Sequence, residues 1–84
     1  MASAGRTLRV LVADDEVLTA AAHANFTARV PGFEVVAVAH TGNEVLSGLD
    51  AASAAGTPVD LVLLDMNLPD LHGLDVARRI RGRG

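Results

Sequence analysis

The sequence predicts an α/β fold, a doubly wound parallel sheet in which three strands alternate with three helices. Three short runs are dominated by aliphatic residues: LRVLVA at 8–13, FEVVAVA at 33–39 and DLVLLD at 60–65. Runs that are apolar on both faces are typical of parallel strands that helices cover on each side. The intervening segments are long enough for helices, so the crossovers should be right-handed. A central first strand would place the second strand on one of its sides and the third on the other.

Composition indicates one small globular domain. The 84 residues are 50% hydrophobic and 20% charged, with a formal net charge of -3. We place the domain at 8–81, with tails at 1–7 and 82–84. The absence of cysteine excludes thiol catalysis and zinc-finger spacing and fits a reducing compartment, so the expected location is cytoplasmic. No apolar run approaches the roughly 18–20 residues that cross a bilayer, and no signal-peptide core is present, so neither membrane contact nor export is expected.

The first helix is predicted between a pair of aspartates and the Pro31-Gly32 pair, which ends it. Apolar residues repeat at helical spacing along this segment and should form its buried stripe: Val17, Leu18, Ala21, Ala22 and Phe26. Phe26 and Phe33, the two aromatic residues of the chain, are both expected in the core.

The second helix should begin at TGNE, residues 41–44, which has the form of a capping box. In that motif Thr41 accepts a hydrogen bond from the Glu44 amide, and the Glu44 carboxylate accepts one from the Thr41 amide. An apolar stripe at helical spacing follows: Val45, Leu46 and Leu49. The third helix is predicted after Gly73, where apolar residues recur every three positions: Leu74, Ala77 and Ile80.

Acidic residues follow two of the predicted strands. Asp14 and Asp15 come directly after the first strand, and Asp65 ends the third. In an open parallel sheet, ligands bind beyond the carboxyl ends of the strands, where the strand order reverses. Neighbouring strands lie about 4.8 Å apart, so these carboxylates should share one small pocket.

Such a group of carboxylates needs compensation for its charge. At about 4 Å and an effective dielectric near 20, each pair repels by roughly 4 kcal/mol. Protonation of one acid would relieve this repulsion, but a hard divalent cation relieves it without loss of charge, and Mg²⁺ commonly binds a few carboxylates plus waters. We therefore expect Mg²⁺. A cation here would also hold a phosphoryl group while an aspartate oxygen attacks it as the nucleophile.

Two segments, LVADDE and DLVLLDMNLPDLHG, resemble the signature of the receiver domain of two-component response regulators, and the resemblance covers 8–81. It implies a flavodoxin-like sheet of strand order 2-1-3-4-5, here truncated after the third helix. It also implies that Asp65 is the phosphoacceptor. Asp15 and Asp65 would bind Mg²⁺ through their side chains, Asn67 through its backbone carbonyl and Asp14 through a water molecule. No enzymatic activity beyond phosphotransfer or autophosphatase activity is expected.

Within that family, AHANFTARVPGFEVVAVAHTGNE is similar to a segment of the regulators of citrate and malate metabolism. This similarity implies a longer transcription factor that contacts DNA through a C-terminal helix-turn-helix domain. Its partner would be a sensor histidine kinase that detects a di- or tricarboxylate.

The chain departs from the family pattern at its C-terminal side. Receiver domains continue with two more strands and helices that carry a Ser or Thr and a Lys, whereas this sequence contains no lysine. The far edge of the third strand is then expected to be open, which favours a homodimer or a domain-swapped oligomer. The alternative function is a truncated, non-signalling remnant that acts only in folding or dimerisation. A P-loop nucleotidase is excluded because the phosphate-binding Gly-Lys loop is absent.

Ordinary structural roles remain open for several of these residues. Asp14 or Asp15 could serve as the N-cap of the first helix, and Asp65 could be a strand-end turn residue. Asn67 and Asp70 are typical turn formers. Solvated surface positions are expected for the histidines, which lack metal-ligand spacing: His23, His40 and His72.

Overall fold

The computed structural model describes residues 7–65, 68–70 and 73–82. These residues form strands and helices in the predicted alternating order, which confirms the α/β class. The strand bounds agree with the apolar runs to within one residue. The elements are β1 (Leu8–Ala13), α1 (Val17–Ala28), β2 (Phe33–Ala39), α2 (Gly42–Ala54), β3 (Leu61–Leu64) and α3 (Gly73–Gly82).

The sheet is parallel, with the order β2-β1-β3, so the prediction of a central first strand is confirmed. Ala13 at the end of β1 lies opposite Ala39 of β2 and Leu64 of β3. The pairing continues just beyond the strands, where the Asp14 N–H donates to the Ala39 carbonyl at 3.0 Å and the Asp65 N–H donates to the Ala13 carbonyl at 3.0 Å. The three strands therefore end level with one another, at a common carboxyl edge.

The face of the sheet toward α2 and α3 holds the main apolar core. Its members are almost completely removed from solvent: Leu11, Ala13, Ala39, Val45, Leu68 and Val76. Leu49 and Ile80, which belong to the predicted helix stripes, pack at the margin of this cluster. Val76 was not in the predicted stripe of α3, yet it is fully buried while Ile80 is only partly buried. Burial of each aliphatic side chain contributes about 1.5–3 kcal/mol, so this face supplies much of the stability.

The opposite face is covered by α1, and here the predicted orientation of the helix is wrong. The buried residues of α1 are Ala20 and Thr27. The predicted stripe faces solvent instead, with Leu18 81% exposed and Phe26 71% exposed, so Phe26 is not a core residue. The small side chain of Ala20 allows α1 to lie close to β1 and β2, and the larger apolar residues of the helix stay largely exposed.

Strand β3 is less enclosed than its sequence predicts. Val62 and Leu64 pack against the main core, but Leu63 on the other face is 38% exposed. Among the residues that the structure describes, β3 pairs with β1 alone. The homodimer expected from an open edge stays a prediction.

The capping box of α2 forms in part. Thr41 Oγ1 accepts a hydrogen bond from the Glu44 N–H at 3.0 Å, as predicted. The Glu44 carboxylate does not return to Thr41 but accepts from the His40 N–H at 2.7 Å. The cap therefore reaches one residue further back, toward the end of β2. Within the described ranges, no helix combines the length and the apolar character that crossing a membrane requires.

Candidate functional site

Three aspartates converge at the carboxyl edge of the sheet. Asp14 and Asp15 follow β1, Asp65 follows β3, and one carboxylate oxygen of each lies within 4.8 Å of the others. The convergence follows from the topology, because adjacent parallel strands that end level must deliver their next residues to one place. Burial differs among them: Asp14 is 8% exposed, Asp65 is half-buried and Asp15 is exposed.

The fourth predicted site residue, Asn67, lies outside the described residues. The structure thus brings together three of the four residues expected to bind metal, and their roles in metal binding and phosphoryl transfer stay predictions.

Asp14 is held in place from two sides. Its Oδ1 accepts a hydrogen bond from the Glu16 N–H at 3.0 Å, and its backbone carbonyl oxygen lies 3.0 Å from Nδ1 of His40. Glu16 is the N-cap residue of α1 and makes no side-chain cap bond. Asp14 therefore fixes the turn that leads into α1, although it does not cap the helix itself. The hydrogen bond from Glu16 also orients its carboxylate.

Two histidines lie closer to the acidic residues than the sequence indicated. His40 is half-buried against the Asp14 carbonyl, which contradicts its predicted solvated position. His23 keeps 61% of its side chain exposed, and its Nδ1 lies 3.9 Å from Asp14 Oδ2. His40 directly follows β2, so its position at the same carboxyl edge was available from the topology. His72 lies outside the described residues.

The donor set fits a hard divalent cation. Mg²⁺ binds oxygen ligands at about 2.1 Å in octahedral geometry, so adjacent ligands are about 3.0 Å apart and opposite ligands about 4.2 Å. Oxygens of Asp14, Asp15 and Asp65 that lie within 4.8 Å of one another are near enough to bind one ion, directly or through a water molecule. A cation among them would also offset the mutual repulsion of the carboxylates.

Asp70 makes a contact that sequence reasoning missed. Its Oδ1 accepts from the Gly42 N–H at 2.6 Å, and its Oδ2 accepts from the Asn43 N–H at 3.0 Å. The residue expected to be an ordinary turn former therefore joins the segment after β3 to the first turn of α2. No local pattern reveals such a contact, because its partners are 27 and 28 residues away in sequence.

A groove of about 560 Å³ extends from the acidic residues between α1 and β3. Asp14, Asp65 and His23 stand at its polar end, and the rest is largely apolar, with Phe26 and Leu63 among its walls. These two side chains are the exposed apolar residues described above.

This chain matches only part of the length of each of its curated relatives. The chain is 40% identical over 80 residues to protein-glutamate methylesterase/protein-glutamine glutaminase 2 of Anaeromyxobacter dehalogenans (strain 2CP-C), which covers 95% of this chain and 22% of that protein. It is 32% identical over 72 residues to the transcriptional regulatory protein DcuR of Escherichia coli (strain K12), with 82% of this chain and 28% of DcuR covered. The expected subfamily fits DcuR. The chain thus spans about a quarter of the length of these relatives.

A solved structure shows the same fold. It is the complex of the P1 domain of CheA3 with CheY6 from R. sphaeroides, in which the matching chain has 36% sequence identity and a TM-score of 0.69. The match covers 89% of this chain and 55% of that chain. Residues 10–84 also match the family model of the response regulator receiver domain. The chain therefore belongs to the receiver domain family of two-component response regulators.

Proposed function

We propose that this chain is the phosphoacceptor region of a response regulator and that Asp65 receives the phosphoryl group. The observation that carries the proposal is the convergence of three carboxylates within 4.8 Å at the carboxyl edge of a receiver-family sheet. Asp65 is half-buried and also borders the groove, so its carboxylate is accessible to a donor.

The proposed reaction is a displacement at phosphorus. A carboxylate oxygen of Asp65 attacks the phosphorus of a phosphohistidine, the new O–P bond forms as the P–N bond breaks, and the leaving imidazole nitrogen takes up a proton. Asp15 and Asp65, with the Asn67 carbonyl, would hold Mg²⁺, and Asp14 would bind it through water. Bound Mg²⁺ supplies positive charge that offsets the charge on the phosphoryl oxygens.

We propose a sensor histidine kinase as the partner. Receiver domains interact with phosphotransfer partners, as in the solved complex of CheA3 P1 with CheY6. The relevant surface of this chain would be the carboxyl edge around Asp65, because the donor histidine must approach that carboxylate in line with the bond that breaks.

For the output we propose control of transcription in a longer protein, supported by the similarity to DcuR. DNA contact would come from a C-terminal output domain. The methylesterase relative is named as an enzyme, and this chain covers 22% of it, so a receiver of this kind also occurs beside a catalytic function. A cytoplasmic location stays a prediction.

Intact mass spectrometry after incubation with acetyl phosphate and Mg²⁺ tests the phosphoacceptor assignment. The wild-type chain should gain phosphoryl mass, and Asp65→Asn should abolish the gain. Asp75→Asn is the matched control, since it removes an exposed carboxylate in the first turn of α3. Labelling that persists in Asp65→Asn would refute the assignment. A wild-type chain that takes no label would favour the alternative of a folding or dimerisation module.

A further inference from the structure

We propose that Asp70 is a positioning residue that ties the segment carrying Asp65 to the N-terminus of α2, so that α2 sets the geometry of the acidic site. The inference rests on the proposed function only where it concerns metal binding and phosphoryl transfer. The link between the two segments follows from the hydrogen bonds of Asp70 alone.

The first turn of α2 needs acceptors for N–H groups that have no partner within the helix. Thr41 supplies one of them through Oγ1, which accepts from Glu44, whereas the Val45 N–H makes the first ordinary bond of the helix to the Thr41 carbonyl. Asp70 supplies the other two, for Gly42 and Asn43. One bond of the cap is therefore local, and two come from the segment after β3.

The contacts of Asp70 are of a strong kind. A carboxylate that accepts backbone N–H groups at a helix N-terminus forms charge-assisted bonds and faces the positive end of the helix dipole. Both oxygens are engaged, so the carboxylate is fixed in orientation as well as in position. This contact therefore restrains the backbone at Asp70.

The restraint acts close to the acidic site. Leu68 is 6% exposed and packs in the main core. Two residues later, the Asp70 carboxylate binds the first turn of α2. Asp65 itself is bonded to β1 through its amide. Asp65, Leu68 and Asp70 are therefore each held by a contact with another element of the fold.

The same end of α2 also reaches the other side of the site. Glu44 accepts from the His40 N–H, and Nδ1 of His40 meets the Asp14 carbonyl. The first turn of α2 thus contacts the strand end that carries Asp14 through His40, and the segment that carries Asp65 through Asp70. It bridges the two halves of the carboxylate group.

Two variants separate positioning from simple capping. Asp70→Ala removes the two remote bonds of the cap, and Thr41→Ala removes the local bond of the same helix end without touching the segment after β3. Both should lower the stability of the fold. Asp70→Asn keeps one acceptor oxygen and should give an intermediate result.

The first readout is Mg²⁺ affinity, followed by NMR through the amides of Asp14 and Asp15 at a temperature where every variant is folded. Asp70→Ala should weaken binding by about tenfold, the loss typical when a partner that orients metal ligands is removed. Thr41→Ala should leave the affinity within about twofold of wild type. If the two variants lose the same stability and bind Mg²⁺ with equal affinity, the proposal is overturned, because Asp70 would then act only as a cap of α2.

The second readout does not depend on metal. Hydrogen exchange of the Asp65 amide, which is bonded to the Ala13 carbonyl, should be severalfold faster in Asp70→Ala than in Thr41→Ala. If wild type binds no Mg²⁺ but this difference appears, the proposed function fails while the positioning role stands. If exchange is the same in both variants, the positioning role fails whatever happens to phosphorylation.

Discussion

The two faces of the sheet are covered to different degrees. On the face toward α2 and α3, Leu11, Val45 and Val76 are completely removed from solvent. On the face toward α1, the helix lies over β1 and β2, and Leu63 of β3 borders an open groove. The first face buries its large aliphatic residues in one cluster, whereas on the second face Val10 and Val12 of β1 are buried but Leu63 is not. The second is covered by a helix whose apolar residues lie on more than one side, so its orientation depends on how closely the helix backbone can approach the sheet.

The largest effect should come from the enclosed face. Leu11→Ala removes a fully buried side chain that packs in the main core, and such truncations typically cost about 2–5 kcal/mol in the free energy of unfolding. The matched control is Leu18→Ala on α1, where the side chain is 81% exposed. Urea denaturation followed by circular dichroism measures both. Equal losses in the two variants would contradict the assignment of Leu18 to the solvent side of α1.

The comparison between faces also explains which sequence predictions succeeded. Parallel strands are apolar throughout, so the runs at β1, β2 and β3 could be found without knowing which residue faces which helix. The meeting of Asp14, Asp15 and Asp65 needed only the strand order and the rule that ligands bind at the carboxyl edge. For α1 the sequence favoured the stripe with the larger apolar residues. The structure buries Ala20 and Thr27, and no hydrophobicity pattern favours a threonine over Leu18 or Phe26.

The contacts of Asp70 and His40 were missed for a different reason. Each depends on residues that are distant in sequence and brought together by the fold: Asp70 meets the amides of α2, and His40 meets the carbonyl of Asp14. An aspartate next to a proline is compatible with an ordinary turn. Local patterns therefore identify the candidate ligands of the site, but not the residues that hold them in place.

The acidic residues at the common edge give the second prediction. Asp15→Asn should weaken Mg²⁺ binding by at least about tenfold, because removal of even a supporting partner of a metal ligand has an effect of this size. In the absence of Mg²⁺ the same change should leave the stability equal or raise it, since one repulsive charge is removed from the group of three.

Calorimetry gives the affinity, and thermal unfolding in a chelator gives the stability. Asp60→Asn serves as the control, because Asp60 precedes β3 at the amino end of the strand, where it accepts a hydrogen bond from the Arg9 N–H. An Asp15→Asn variant with unchanged affinity would remove Asp15 from the proposed ligand set.

The tightness of the enclosed face can be tested with Gly48 of α2. A Cβ at this position would lie 3.1 Å from Cδ1 of Leu11. Alanine raises helix propensity by up to about 1 kcal/mol, but overpacking a core costs about 1–3 kcal/mol. Since Leu11 is fully buried, we expect Gly48→Ala to be neutral or destabilising by about 1 kcal/mol, as measured by urea denaturation.

The double variant sharpens this prediction. In a Leu11→Ala background the close contact disappears, so Gly48→Ala should become stabilising, and the two changes should be strongly non-additive. Additive effects would mean that Leu11 and its neighbours can shift to accommodate a Cβ at position 48, and that the close contact costs little.

The smallest effect is expected on the open side of α1. Phe26 is 71% exposed, so Phe26→Ser should change the free energy of unfolding by no more than about 0.5 kcal/mol in a monomeric chain.

The control is Ala20→Ser on the buried side of the same helix, where a hydroxyl would be placed against the sheet and should cost more. Both variants are compared at several protein concentrations, because stabilisation by association increases with the logarithm of concentration. If Phe26→Ser lowers the melting temperature only at high concentration, the exposed ring contributes to the predicted homodimer. If it causes a large loss at every concentration, Phe26 is buried within the single chain and the orientation of α1 given above is wrong.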